Sequence, residues 1–115
     1  MHPIGQHFLA AMRDTQVTSE VKELILKEKV LGFTLFKWNI ESAEQLKELN
    51  AELQSLAKQA GYELILAVDQ EGGRVCRLKP PHWRRPPPAK YFGDLWIKDP
   101  QKAKQELANN AVLIA

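Results

Sequence analysis

The run Leu64-Ile65-Leu66-Ala67-Val68 ends abruptly in Asp69-Gln70-Glu71-Gly72-Gly73-Arg74-Val75. A short apolar stretch bounded by turn signals reads as a β-strand buried on both faces, as in a parallel sheet. A parallel sheet restricts a chain to α/β architectures, with helices laid over it. Such folds gather their ligand sites at the carboxyl ends of the strands. Asp69 is the first polar residue at that end. A carboxylate there is costly without a partner, which makes Asp69 the leading candidate for a functional side chain.

The residues upstream supply the rest of a βαβ unit. Ser42 can cap a helix, with Gln45 three residues on completing a capping box. Leu46, Leu49, Leu53, Leu56 and Ala60 form one apolar stripe, and Gly61 is placed to end the helix. Val30 to Phe36 reads as the preceding strand, rich in β-branched and aromatic residues. Two strands joined by such a crossover are parallel, and the crossover is right-handed. Before them, Ile4, Phe8, Ala11 and Met12 fall at helical spacing and predict a first helix. Thr18 or Ser19 can cap a second, with Val21, Leu24 and Ile25 on its buried side.

From Gln70 to Lys98 no period is visible, and Pro80, Pro81, Pro86, Pro87 and Pro88 argue for a long loop. Asp99-Pro100 then reads as N-cap and first residue of a last helix, with Ala103, Leu107, Ala111 and Ala115 on one face. The expected architecture is α/β, with about two parallel strands and four helices. Two strands do not complete a doubly covered sheet, so residues 1–115 read as the opening of a larger domain.

Composition narrows the partners. The 115 residues are 44% hydrophobic and 26% charged, ordinary for a globular domain. A formal net charge of +2 argues against nucleic acid and membrane surfaces as partners. The chain starts without a basic region and apolar core, and no apolar run approaches the ~18 residues of a membrane span. A cytoplasmic protein is expected. Cys76 is the single cysteine, so no internal disulfide forms. His2, His7 and His82 lack metal-ligand spacing, so no metal or cofactor is expected.

Around the strand ends, each functional reading has a plain structural rival. Asn39 can simply close a turn. Asp69 and Glu71 lie too close in sequence to flank a glycosidic bond as a catalytic pair. A hydrogen-bond acceptor for substrate hydroxyls suits Asp69 better, with Glu71 partnering Arg74 or backbone amides. Gly72-Gly73 allows positive φ or a close approach, but the phosphate-loop spacing is missing. Arg74, Arg77, Lys79, Arg84, Arg85 and Lys90 form a basic run interleaved with His82, Trp83 and Tyr91. A solvated loop is the simpler reading; a mouth for an anionic ligand or for sugars is the sharper one.

The series Gly32-Phe33-Thr34-Leu35-Phe36, Asn39-Ile40, Ser42, Glu44-Gln45-Leu46, Leu49, then Ala67 through Val75 and Arg77-Leu78, resembles the start of glycoside hydrolase family 3. Pro87-Pro88-Ala89 with Phe92-Gly93 extends the likeness to about residue 93. Within the family, the series resembles the bacterial β-N-acetylhexosaminidases of peptidoglycan recycling. The resemblance implies a (β/α)8 barrel, which needs about 250 residues. It implies exo-hydrolysis of terminal β-linked N-acetylglucosamine with retention of configuration. Asp69 and Arg77 match the family's sugar-binding residues, with Glu71, Arg74 and Asn39 as candidate support for the pocket. The nucleophilic Asp, the His/Asp acid-base pair and a sugar-binding Lys-His pair match no residue up to Ala115. Trp38 stands where many relatives carry Arg.

Besides nucleic-acid binding through residues 74–90, which the net charge of +2 argues against, two alternatives remain open. One is a family 3 β-glucosidase or β-xylosidase. The other is a non-catalytic sugar-binding or interaction module, self-associating through open sheet edges.

Overall fold

The computed structural model describes residues 3–114. They form two compact units, one ending at Asp69 and one beginning at Gln70.

The first unit runs β1 (Leu9–Ala11), α1 (Ser19–Leu26), β2 (Gly32–Leu35), α2 (Ala43–Gln59) and β3 (Ile65–Val68). Its sheet has the order β1-β2-β3, and both pairings are parallel. Leu9 pairs with Gly32 and Gly32 with Ile65, so the three strands stay in step. Paired residues of a parallel ladder project on the same side. Phe33 and Leu35 of the central strand are 0% and 4% exposed, which marks the helix-covered face. Leu9 and Ile65, on the other face, are 47% and 50% exposed.

The helices start where their side chains can satisfy free amides. The Thr18 hydroxyl accepts from Val21 N at 3.4 Å, and the Ser42 hydroxyl from Gln45 N at 3.0 Å. Gln45 turns back one residue further than a capping box requires, accepting from Glu41 N at 2.9 Å. On α2 the expected stripe is buried at Leu46, Leu49, Leu53 and Leu56, with Ala57 in place of Ala60. Gly61 adopts φ +83°, and Tyr62 N and Gly61 N donate to Ala57 O and Lys58 O. That is a Schellman ending, which needs a left-handed residue at this point.

Two expectations are corrected here. Residues 4–12 are not one helix: a 3-10 turn covers Ile4–His7, and Leu9–Ala11 is a strand. The sheet therefore has three parallel strands rather than two. Ladder pairing to β2 outweighs the local periodicity, and Ile4 and Phe8 are left 74% and 57% exposed. Nor is β3 buried on both faces. It is the edge of the three described strands, with Ile65 exposed and Leu66 to Val68 half-buried.

The second unit opens with a hairpin, β4 (Gln70–Gly72) against β5 (Val75–Cys76), and continues to α3 (Ala89–Lys98) and α4 (Pro100–Ile114). Both the hairpin and α3 fall in the stretch expected to be loop. The hairpin is too short to show a period. Helix α3 starts directly after Pro88, where the last proline of the run supplies the extended residue that a helix start needs. Asp99 caps α4 as expected, its carboxylate accepting from Lys102 N at 3.0 Å. Of the face expected on α4, Ala103 is buried, Leu107 and Ala111 are exposed, and Ala115 lies outside the described residues. Helices α3 and α4 pack on each other, and the Tyr91 hydroxyl donates to the Glu106 carboxylate at 2.6 Å. No helix among the described residues is long and apolar enough to cross a membrane.

Leu53 is 0% exposed and Ile4 is 74% exposed. Leu53→Ala should lower unfolding free energy by about 2–5 kcal/mol. Ile4→Ala should stay within about 0.5 kcal/mol. Denaturant unfolding of both checks this; equal losses would restore a packed N-terminal helix.

The hydrogen bond to Glu106 raises the Tyr91 phenol above its ordinary value of 10.0. A raised folded value means that the contact supports α3 on α4 fully below that ordinary value and is lost as pH rises through the shifted one. Burial raises the Tyr62 phenol too, so absorbance titration should show both tyrosines titrating late, and Tyr91→Phe should remove the Tyr91 step while leaving that of Tyr62.

Candidate functional site at the strand ends

The carboxyl ends of β1, β2 and β3 lie along one edge of the sheet, because all three strands are parallel. Leu35 pairs with Val68, so Phe36 and Asp69 leave the sheet side by side. Asp69 follows Val68 on the open-face alternation, and its side chain is exposed. The carboxylate thus reaches solvent at the rim instead of being forced into a buried strand end.

Asn39 holds this rim together. It is 0% exposed. Its carbonyl oxygen accepts from Phe36 N at 2.8 Å, and its Nδ2 donates to Met12 O at 3.0 Å and Asp14 O at 2.8 Å. A buried primary amide needs such partners, and every one of these is backbone. Gln45 adds a second clip, donating from Nε2 to Thr15 O at 2.8 Å and Asn39 O at 3.1 Å. Together the two amides tie the segment after β1 to the segment after β2. Asn39 therefore supports the rim by fixing backbone. The turn-closing reading captured its bond to Phe36 but not its reach across to β1.

Beside Asn39, the Trp38 ring stacks on Phe36 with centroids 4.7 Å apart and planes 9° apart. Trp38 Nε1 donates to Met12 O at 2.9 Å, and the residue is still 50% exposed.

The second unit holds Glu71, Arg74 and Arg77. Glu71 and Arg74 are exposed, and Arg77 is half-buried. Gln70, which the sequence did not single out, organises this part. Its Oε1 accepts from Arg77 N at 2.9 Å and Leu78 N at 3.0 Å, while its Nε2 donates to Leu78 O at 2.7 Å. One side chain thereby fixes the backbone that carries Arg77. The only advance signal was its place between two carboxylates in the motif. Gly72 and Gly73 turn the hairpin at φ +77° and +58°. A Cβ on Gly72 would lie 2.2 Å from Pro87 O, so the proline segment sits on this turn. Arg85 Nη2 donates to Gly73 O at 2.7 Å. Arg85 of the basic run thus ties the proline segment to the hairpin turn. Tyr91 and Arg84 line a separate cavity of about 360 Å³ with Glu106, Asn109 and Asn110.

Parallel strands alternating with helices, with polar residues at one set of strand ends, define an α/β arrangement of the (β/α)-barrel type. The chain belongs to the glycosyl hydrolase family 3 N-terminal domain family, which it matches over residues 4–110. It is 40% identical over 100 residues to a β-hexosaminidase of Neisseria meningitidis serogroup B, covering 87% of this chain and 26% of the relative. Among solved structures it is similar to NagZ from Neisseria gonorrhoeae in complex with N-trifluoroacetyl-D-glucosamine, with TM-score 0.73 and 37% identity over 84% of this chain and 27% of the other. It is also similar to a family 3 β-N-acetylglucosaminidase from Paenibacillus, with TM-score 0.74 and 29% identity over 79% of this chain and 17% of the other. The chain spans about a quarter of the length of the curated relatives it matches.

Asn39→Ala removes three hydrogen bonds to backbone, the one to Met12 O fully buried, and should cost about 2–3 kcal/mol of stability. Asp69→Ala, at an exposed position, should cost under about 0.5 kcal/mol. Denaturation of the two variants side by side separates the structural amide from the carboxylate. A larger loss for Asp69→Ala would make the carboxylate a fold determinant.

Proposed function

We propose that this chain supplies one wall of the sugar pocket in a retaining exo-glycosidase that releases terminal β-linked N-acetylglucosamine. The exposed Asp69 carboxylate at the end of β3 carries this reading. The family membership and the β-hexosaminidases among the relatives support it. Residues 1–115 then form part of a (β/α)8 barrel.

Asp69 accepts hydrogen bonds from sugar hydroxyls, and charge assistance makes such bonds stronger than neutral ones. Arg77 as a second sugar-binding residue, with Glu71, Arg74 and Asn39 in supporting roles, rests on the family match alone. Retaining hydrolysis also needs a nucleophile and a proton donor on opposite sides of the bond. No residue of these 115 matches the family's pattern for either role, so the wall binds and orients but does not cleave. We further propose cell-wall fragments of muropeptide type as substrates and cytoplasmic peptidoglycan recycling as the setting, both resting on the resemblance of the sequence motif alone. The relatives favour this over a β-glucosidase or β-xylosidase.

The 115-residue chain should release no product from an aryl N-acetylglucosaminide, yet should bind N-acetylglucosamine. Asp69→Ala should weaken that binding at least about tenfold, the worth of a charged hydrogen bond. Calorimetry and a chromogenic assay check both. Turnover by the chain that vanishes in Asp69→Ala would overturn the division of labour. Unchanged affinity in Asp69→Ala would overturn the pocket itself.

A further inference from the structure

We infer that Trp38 is a stacking platform for a second sugar ring, the one joined to the residue that Asp69 grips. This rests on the pocket reading above and deepens it.

The indole is built for contact on one face only. Phe36 covers one side at 4.7 Å, nearly parallel at 9°. The hydrogen bond from Nε1 to Met12 O fixes the in-plane rotation. The same Met12 carbonyl accepts from Asn39, so the support behind the ring is buried. With one face and the ring nitrogen engaged, half of the residue is still exposed. A large aromatic ring held rigid and open loses apolar contact with nothing in return unless a partner covers it. In front of it lies a shallow depression of about 380 Å³, lined by Ala11, Met12, Arg13 and Trp38.

Position selects the occupant. Phe36 and Asp69 emerge from paired strands, which are spaced by roughly 5 Å. Trp38 is two residues past Phe36 on the same rim. Trp38 donates to Met12 O beyond β1 and borders the depression there, two strands across from Asp69 at the end of β3, a span of roughly 10 Å that two linked hexopyranose rings can bridge. The C–H face of a hexopyranose is apolar and flat enough to lie on an aromatic ring, while its hydroxyl edge stays polar. Arg13, exposed at the border of the depression, offers donors to that edge. A flat apolar ring beside a carboxylate and a guanidinium suits a disaccharide better than a lone sugar or an apolar peptide.

The test titrates the full chain with N-acetylglucosamine and with its β-1,4-linked disaccharide. Calorimetry gives affinities, and the Trp38 indole N–H resonance, assigned by its loss in Trp38→Phe, gives the contact. The disaccharide should bind more tightly and should shift the indole signal; the monosaccharide should leave it in place. Trp38→Ala should weaken disaccharide binding roughly tenfold, the worth of one aromatic contact with its buried area, and leave the monosaccharide unaffected. Trp38→Phe should retain most of the affinity. If Trp38→Ala unfolds, the wild-type indole shift still decides. A disaccharide that binds without moving the indole overturns the platform, and so does equal weakening for both sugars in folded Trp38→Ala. If Asp69→Ala leaves monosaccharide binding intact, the pocket reading fails instead. Binding of neither sugar overturns both.

Discussion

A buried carboxamide survives in a protein interior only when its hydrogens and its oxygen find partners, and Asn39 finds all of them in backbone. That constraint reaches beyond one residue. The oxygen fixes the exit of β2 through Phe36 N, while the nitrogen fixes the exit of β1 through Met12 O and Asp14 O. Gln45, held by its place in the first turn of α2, locks the same two exits from the other side. Strand pairing alone aligns β1 and β2 over three residues. Without the amides, the segments that leave those strands would have no fixed course, and Trp38 would have no carbonyl at Met12 to orient it.

The sheet beneath this rim is asymmetric for a reason of burial. Helix α2 is 17 residues long, about 25 Å, whereas β2 and β3 hold four residues each. One long amphipathic stripe therefore covers the helix-facing side of the short strands, burying Phe33 and Leu35. The opposite side keeps Leu9 and Ile65 half-exposed. Residues that follow the strands on that open side, Asp69 among them, reach solvent at little desolvation cost.

Legibility in the sequence followed segment length and the range of the deciding interactions. Helix α2 and its caps could be read because seventeen residues repeat a 3.6 period and close on Gly61. Strand β2 was legible from its β-branched and aromatic content. Strand β1 was not: three residues carry too little pattern, and their pairing to Gly32 through Thr34 is a long-range fact. Helix α3 was hidden by the prolines before it, since the loop signal was extended past Pro88. At the site, Asp69 could be picked out as the first polar residue after an apolar run. Asn39 was legible as a turn residue only, because its main partners lie 25 and 27 positions away.

The stretch Asp69 to Arg77 shows how a specific motif divides its labour. Asp69 has the exposure of a ligand-binding group, but its neighbours have the geometry of scaffold. The Gln70 carboxamide closes on Arg77 N, Leu78 N and Leu78 O, replacing ladder bonds that a two-residue β5 cannot supply. Gly72 and Gly73 take left-handed φ, and no Cβ fits between Gly72 and Pro87 O. Arg85 reaches back to Gly73 O from the proline segment. A hairpin this short has almost no core of its own, so these polar contacts, not burial, set its shape. Most of the motif's letters are thus spent on holding one turn and presenting the backbone of Arg77. The chemistry is left to very few side chains, which is why a motif so easily recognised names the family more readily than it names the catalytic step.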